Sequence, residues 1–456
     1  MRTMTAAEIA AITNGTLLCG NGEAVITNIQ YDSRLVTEGS LFVPIKGAKT
    51  DPHQFIADCL AKGAAAVLTE QTAPDGAEKP YIQVDNTLTA LQKLAAAYRQ
   101  EMRLCLIGVT GSVGKTSTKE MIAAALSEGL DVMKTQGNRN SQIGLPMTMF
   151  EMEPHHEAAV IEMGMSEFGE MDKLCDIARP NIAVMTNIGK AHIENLHTQE
   201  NIRSEKLKIT KHFDKDGVLF LNGDDPLLKA LHGTQPFSTV TFGMNPDNDY
   251  YADTAEVSGF STSFTCHHGK GTYRLTIPAL GVHSIMNALA AFAVGQRLGL
   301  SEETIAKGLS HYQNAPMRQQ IRNCGSFVLI DDSYNASPEA TKASLDVLKS
   351  IAQAKTTAVL ADMLELGEEG PAEHYRVGQH LAQIGIDRLI AVGPLSRHTA
   401  QGAADGGCPL VLTADTNAQA YDLLKGTLTE GETILVKGSR GMHTDEIVRL
   451  LTTNQP

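Results

Sequence analysis

The chain has no cysteine pair at C-x-x-C spacing, no excess of basic charge and no apolar run of about 18 residues, the length of a membrane span. Its seven cysteines stand apart at Cys19, Cys59, Cys105, Cys175, Cys266, Cys324 and Cys408. An odd number at such spacing indicates neither a disulfide framework nor a zinc site, and reduced thiols fit a cytosolic protein. The missing apolar run excludes a membrane-spanning helix. The N-terminus has no signal-peptide core either: Thr5-Ala-Ala-Glu8 reads as a capping box that opens a short helix. With no large apolar interface patch evident, a soluble cytoplasmic monomer is expected. The balance of 38 Lys+Arg against 52 Asp+Glu gives a net charge of −14. That argues against nucleic acid as the main partner, because duplex binding neutralises phosphates with Lys and Arg. A local basic pocket for a phosphate is still compatible with it.

What is present is a repeated alternation of short apolar runs and amphipathic helices, in a chain of 456 residues. At about 100–200 residues per domain this length suggests two to four domains. Residues 1–102 mix strand-like runs at 24–29, 40–44 and 64–69 with helices, a loop at 71–80 and a helix at 88–99 that leads to a boundary. Residues 103–314 contain buried strands at 104–109, 158–161, 182–185 and 218–221, with a helix at 115–126. Such β-α alternation means a mainly parallel sheet covered on both faces. Residues 237–277 alternate polar and apolar positions without a long helix and read as an antiparallel annex, followed by a helix at 283–298. Residues 315–456 add strands at 327–330, 357–360, 389–392 and 433–436, a second doubly wound unit without a G-x-G-x-x-G fingerprint. The fold class is α/β in three domains: a small α/β N-terminal domain, a central P-loop domain and a C-terminal Rossmann-like domain.

Ligands of open α/β sheets lie beyond the carboxyl ends of the strands, so the residues that follow each apolar run carry the chemistry. After the first central strand comes Thr110-Gly-Ser-Val-Gly-Lys-Thr116. Strand, Gly-rich turn, Gly-Lys-Thr and helix make a phosphate-binding loop, although Val109 replaces the first glycine of the strict pattern. Backbone N–H groups of Gly111, Ser112, Val113, Gly114, Lys115, Thr116 and Ser117 would face the anion. Lys115 would reach the terminal phosphates and Thr116 would hold Mg²⁺. An ordinary βα turn is the bland alternative. Glu162 and His192 follow other strands of the same sheet. Mg²⁺ prefers oxygen, which suits Glu162, whereas His192 reads equally as a hydrogen-bonded polar histidine. The Cys266-His267-His268 cluster reads as a solvated strand edge rather than a metal site.

Motifs in order along nearly the whole chain resemble the Mur ligase family. They are Asp32-Ser-Arg34, Leu41-Phe-Val-Pro-Ile-Lys-Gly47, Asp51-Pro-His53, the P-loop, Gly137-Asn-Arg-Asn140, Ile143-Gly-Leu-Pro146, Glu162-Met-Gly164 and Asn187-Ile-Gly189. The series continues with Ala191-His192, Lys206, Asn287-Ala-Leu-Ala-Ala291, Asp331-Asp-Ser-Tyr-Asn-Ala336, Ala361-Asp-Met-Leu-Glu-Leu-Gly367 and Lys437-Gly-Ser-Arg440. The resemblance implies an ATP-dependent amide ligase that works through an acyl-phosphate, with two Mg²⁺ ions. Its substrates would be UDP-N-acetylmuramoyl-tripeptide and D-alanyl-D-alanine. It assigns catalytic roles to Lys115, His192 and Lys206, and metal binding to Thr116, Glu162, His192 and a carbamylated Lys206. By the same resemblance Asn287 contacts adenine, and Arg318 and Asp332 complete the nucleotide site from across a domain gap. Ser33, Arg34, Lys46, Asp51 and His53 would serve the uridine-nucleotide side and Asn140 the substrate side. Departures are Ser284, Ser141 and the Met-Arg-Gln-Gln context of Arg318. Two rivals are a relative that adds a single amino acid and a P-loop switch. The Asp331-Asp-Ser-Tyr-Asn335 and Asp362-Met-Leu-Glu-Leu366 segments favour dipeptide addition.

Overall fold

The computed structural model describes residues 1–47, 49–269 and 271–453. Ala48 (inside the Lys46 to His53 segment), Lys270 (inside the 237–277 stretch) and residues 454–456 lie outside the described residues. Among the described residues, the strands form three principal sheets and a small ribbon that pairs Met4–Thr5 with Val25–Ile26. The expected capping box is present. The Thr5 hydroxyl accepts from Glu8 N, Glu8 accepts from Thr5 N, and both bonds satisfy amides that the first helical turn leaves without partners.

The first sheet runs in the order Thr16–Cys19, Tyr81–Gln83, Ala66–Thr69, Ser40–Phe42, Asn28–Gln30, parallel except for its first pair. The helix Thr87–Glu101 follows, N-capped by Asn86. Leu91, Leu94 and Tyr98, at helical spacing, bury its apolar stripe in a core shared with Leu145, Phe150 and Leu174 of the next unit. The first sheet is therefore seated on the second through a continuous apolar core.

The second sheet has nine strands. From one edge they are Gly271–Ile277, Ser261–His268, Tyr250–Ser258, Ser238–Gly243, Val218–Asn222, Ile182–Met185, Cys105–Thr110, Ala158–Glu162 and Val132–Lys134. Here the structure corrects the expected annex. Ser238–Gly243 pairs in parallel with Val218–Asn222 and Tyr250–Ser258 in parallel with Ser238–Gly243, so the stretch extends the same sheet, while the expected antiparallel pairing holds among Tyr250–Ser258, Ser261–His268 and Gly271–Ile277. Continuation satisfies the backbone groups along an edge that would otherwise be open. The 2-residue alternation in Ser261–His268 remains meaningful: Phe264 and Cys266 face the core beneath the helix Val282–Arg297.

The third sheet has the order Gln320–Asn323, Phe327–Asp332, Glu432–Lys437, Thr356–Ala361, Arg388–Val392, Leu410–Ala414. Its four expected strands are all present. The reading missed both edges, the antiparallel Gln320–Asn323 and the parallel Leu410–Ala414. Each is only partly covered, so neither forms the continuous buried run that marks the centre of a parallel sheet. The carboxyl ends of the second and third sheets border one common cleft.

Candidate active site

The phosphate loop is held open by side chains of the adjacent strand–loop. Ser112 N donates to Asn187 O (3.0 Å), Val113 N to Asn187 Oδ1 (2.8 Å), and the Thr186 hydroxyl to Val113 O (2.5 Å). Gly111 has φ +150°, and a β-carbon there would lie 1.9 Å from Thr186 Oγ1. Only glycine fits that approach. Gly114, at φ +84°, turns the chain into the helix Lys115–Ser127, whose first amides point into the cleft. Lys115 Nζ folds back onto Gly111 O at 2.9 Å, and burial pulls its pKa below the ordinary lysine value. Ser112 Oγ is buried with no hydrogen-bond partner, a polar atom facing the anion cradle.

Beside the loop, Glu162 ends its strand with both carboxylate oxygens engaged. Thr116 Oγ1 donates to Oε2 at 2.8 Å and Asn140 Nδ2 to Oε1 at 2.7 Å. These are hard oxygen donors and suit Mg²⁺. Lys206 is buried at the end of the helix Gln199–Leu207, and its Nζ donates to Gly111 O at 3.1 Å. Burial, and then the nearby Lys115 ammonium, hold its amine well below the ordinary lysine value. His192 has a left-handed backbone (φ +65°) and its Nδ1 lies 2.8 Å from Glu365 Oε2, across the cleft. That bond comes first among the causes that lower the Glu365 pKa.

The third sheet supplies the opposite wall. Asp332 is buried at the end of its strand. Gln319 N donates to its Oδ1 (3.2 Å), and Ser344 Oγ (2.6 Å) and Lys437 Nζ donate to its Oδ2. The Arg318 guanidinium stacks on the Tyr334 ring, 4.2 Å from its centroid, between residues Met317 and Gln319 that both take positive φ. Asn287 Oδ1 accepts from Thr118 (2.9 Å), which fixes the amide near Gly114.

These groups line a single cavity of about 550 Å³ between the second and third sheets. It brings together Ser112, Val113, Gly114, Lys115, Thr116, Ser117, Asn140, Glu162, His192, Asn287, Arg318 and Asp332. Gly111 and Lys206 are behind its wall, joined by their hydrogen bond. The first-sheet residues are elsewhere. Arg34 pairs with Asp32 and holds its carboxyl down to about 2, while Ser33 O accepts from Lys62. Lys46 pairs with Glu70 at 2.8 Å. Asp51 caps the short helix Pro52–Phe55 and lies 2.6 Å from Nδ1 of the buried His53, whose Nε2 accepts from Glu70 N. Asp51 and His53 thus shape the loop that carries Lys46.

Thr186, Asn187, Tyr334, Glu365 and Lys437 lie in segments that the sequence places at strand ends or in the family motifs, but none of them is singled out there as a site residue. Asn187 and Lys437 follow or end buried strands, a signal that was available. Glu365 and Tyr334 sit inside the 361–367 and 331–336 motifs, but what each touches, His192 across the cleft and the Arg318 guanidinium, is settled by tertiary packing. Cys266 is a buried thiol pushed up to about 12, and His267 stacks on Tyr251 with ring centroids 4.4 Å apart.

Known proteins share both the sequence and the shape. Three family models match in order: Mur ligase family, catalytic domain, over residues 25–99; Mur ligase middle domain over 109–295; and Mur ligase, glutamate ligase domain, over 317–440. The chain is 40% identical over 452 residues to the UDP-N-acetylmuramoyl-tripeptide--D-alanyl-D-alanine ligase of Bacillus subtilis, covering 98% of this chain and 97% of that one. A crystal structure of MurF from Acinetobacter baumannii superposes with TM-score 0.91 at 31% identity, over 99% of both chains. MurF ligase from Thermotoga maritima, solved in complex with ADP, gives TM-score 0.85 at 28% identity over 94% of this chain and 97% of that one.

Proposed function

The chain belongs to the Mur ligase family, and on that premise we propose that it uses ATP to add D-alanyl-D-alanine to UDP-N-acetylmuramoyl-tripeptide. This is the last peptide addition in peptidoglycan precursor synthesis. The observation that carries the reading is likeness along essentially the entire chain to ligases of that one name, at up to 40% identity. The three sheets support a division into units 1–102, 103–314 and 315–456, the first for the UDP-sugar, the second for ATP and the third closing over both.

The tripeptide carboxylate attacks the γ-phosphoryl group of ATP; the bond from the γ-phosphorus to the β–γ bridging oxygen breaks, ADP leaves and an acyl-phosphate forms. The amine of the dipeptide then attacks the acyl carbon, and the tetrahedral adduct collapses to the amide and inorganic phosphate. Lys115 exchanges its bonds to loop carbonyls for bonds to phosphate oxygens, and the amides of residues 111–117 complete the cradle. Asn287 serves the adenine, while Arg318 and Asp332 close the site from the third unit. Asn140, Ser33, Arg34, Lys46, Asp51 and His53 are assigned to the substrate side. Bound Mg²⁺, two ions in this reading, would offset the charge gathered on the phosphates. Thr116, Glu162, His192 and a carbamylated Lys206 would hold them. The oxygen donors of Thr116 and Glu162 fit such ions. Lys206 fits as well, because an amine kept neutral by burial is the form that adds carbon dioxide, and the carbamate is an anionic oxygen ligand. Closure of the cleft keeps water from the acyl-phosphate.

The enzyme acts in the cytoplasm as a monomer, with no part for nucleic acid or membrane insertion; no helix among the described residues is long and apolar enough to cross a membrane. The test is phosphate release from Mg-ATP with the tripeptide nucleotide, with and without D-alanyl-D-alanine. Release that requires both substrates, with a pentapeptide product of the expected mass, supports the reading. Release indifferent to the dipeptide refutes it.

A further inference from the structure

We propose that Lys190 is a positioning residue, an ion-pair latch that holds the third unit closed over the nucleotide cleft. Among the described residues, every ion pair between the second and third units is made by Lys190 or His192. Lys190 Nζ bonds Glu369 and also Glu373, the latter at 3.0 Å. Those two glutamates are four residues apart at the start of the helix Gly370–Gln383, so they present their carboxylates on one face. Glu373 is buried. Arg376 of the same helix already pairs with Glu373; closure adds Lys190 from the second unit as a further cation, which lowers the cost of holding Glu369 and Glu373 side by side.

The loop that carries Lys190 gives the latch its reach. It begins at Thr186 and Asn187, whose bonds shape the phosphate loop, and it reaches the third unit a few residues later. Docking of the third unit is therefore tied through one short segment to the conformation of Ser112 and Val113. When the unit swings away, Lys190 and both glutamates return to water. Their attraction falls with the higher dielectric, and Glu369 loses its ion-pair partner while Glu373 keeps Arg376. A ligand that needs the closed cleft then binds with an affinity reduced by the fall in the closed population.

The inference rests on the ligase reading for its activity assay, but its binding assay does not. In the full chain, Lys190→Ala should raise the Km for ATP and for the dipeptide about tenfold with kcat within about twofold, because saturating ligand restores closure. ADP affinity by calorimetry should fall by a similar factor. Lys190→Arg should keep parental values. Lys190→Glu should be worse than alanine, and Glu369→Lys added to it should recover part of the loss. A purely structural role would lower kcat by depleting folded enzyme and leave Km alone. That pattern, or unchanged ADP affinity in both Lys190→Ala and Lys190→Glu, overturns the latch. If the parent chain shows no dipeptide-dependent turnover, the ligase reading fails, and ADP affinity across the variants still decides the latch.

Discussion

Gly111→Ala tests the account of the phosphate loop most directly. The added β-carbon would sit 1.9 Å from Thr186 Oγ1, at a backbone φ of +150°. Ordinary van der Waals contact requires the pair to separate by about 1.5 Å. Thr186 has little freedom to yield, because its hydroxyl donates to Val113 O at 2.5 Å and its N–H to Thr110 O at 3.0 Å. Overpacking of this kind costs about 1–3 kcal/mol, and an alanine held in a sparsely populated conformation costs about 1–3 kcal/mol more. The expected destabilisation is therefore about 2–6 kcal/mol. Gly111 O is also the acceptor for both Lys115 and Lys206, so the shift should reduce ADP affinity at least about tenfold, the equivalent of about 1.4 kcal/mol. Urea unfolding with calorimetric ADP binding reads both quantities. Thr186→Ala combined with Gly111→Ala should recover the steric part and leave the strain. An alanine variant within about 1 kcal/mol of the parent, with parental ADP affinity, would refute the reasoning.

Lys115→Ala should abolish turnover with a melting temperature near the parent's, since the side chain leaves a half-buried site and not a core; near-normal phosphate release would remove its role. Lys206→Ala should impair activity and be partly rescued by short carboxylic acids, which supply the oxygens of the lost carbamate; full activity without them would end that assignment. In carbonate-free buffer Lys206 also makes a pH prediction. Its folded pKa is depressed, so between that value and about 10.4 the unfolded chain binds a proton that the folded chain does not. Stability from this group therefore rises with pH through that window. Urea unfolding at pH 7 and pH 9 should show Lys206→Met more stable than the parent at the lower pH and less dependent on pH, and equal slopes would contradict the burial argument. Chelation of divalent metal should stop phosphate release while circular dichroism stays unchanged, and turnover that survives chelation would count against the metal roles of Thr116 and Glu162.

Features that depend on local pattern are legible in the amino-acid sequence. Apolar runs with helices between them require parallel sheets, because such strands must be covered on both faces. Gly-Lys-Thr after a buried strand points to a phosphate loop, because the glycine turn and the helix start that follows it are local features, although Thr186 and Asn187 hold the loop open from the next strand. The capping box at Thr5 is local for the same reason. Features that depend on separated segments meeting arise only in the packed fold. It placed Arg318 and Asp332 opposite Lys115, across a cleft that no local pattern describes. It turned Lys206 from a surface residue of a polar helix into a buried amine against Gly111 O, because exposure depends on what packs over a helix. It also carried the strands Ser238–Gly243, Tyr250–Ser258, Ser261–His268 and Gly271–Ile277 into the central sheet and joined Lys190 to Glu369 and Glu373. Periodicity and turn chemistry act over a few residues, whereas hydrogen-bond partners, desolvation and charge pairing arise only once the sheets are packed.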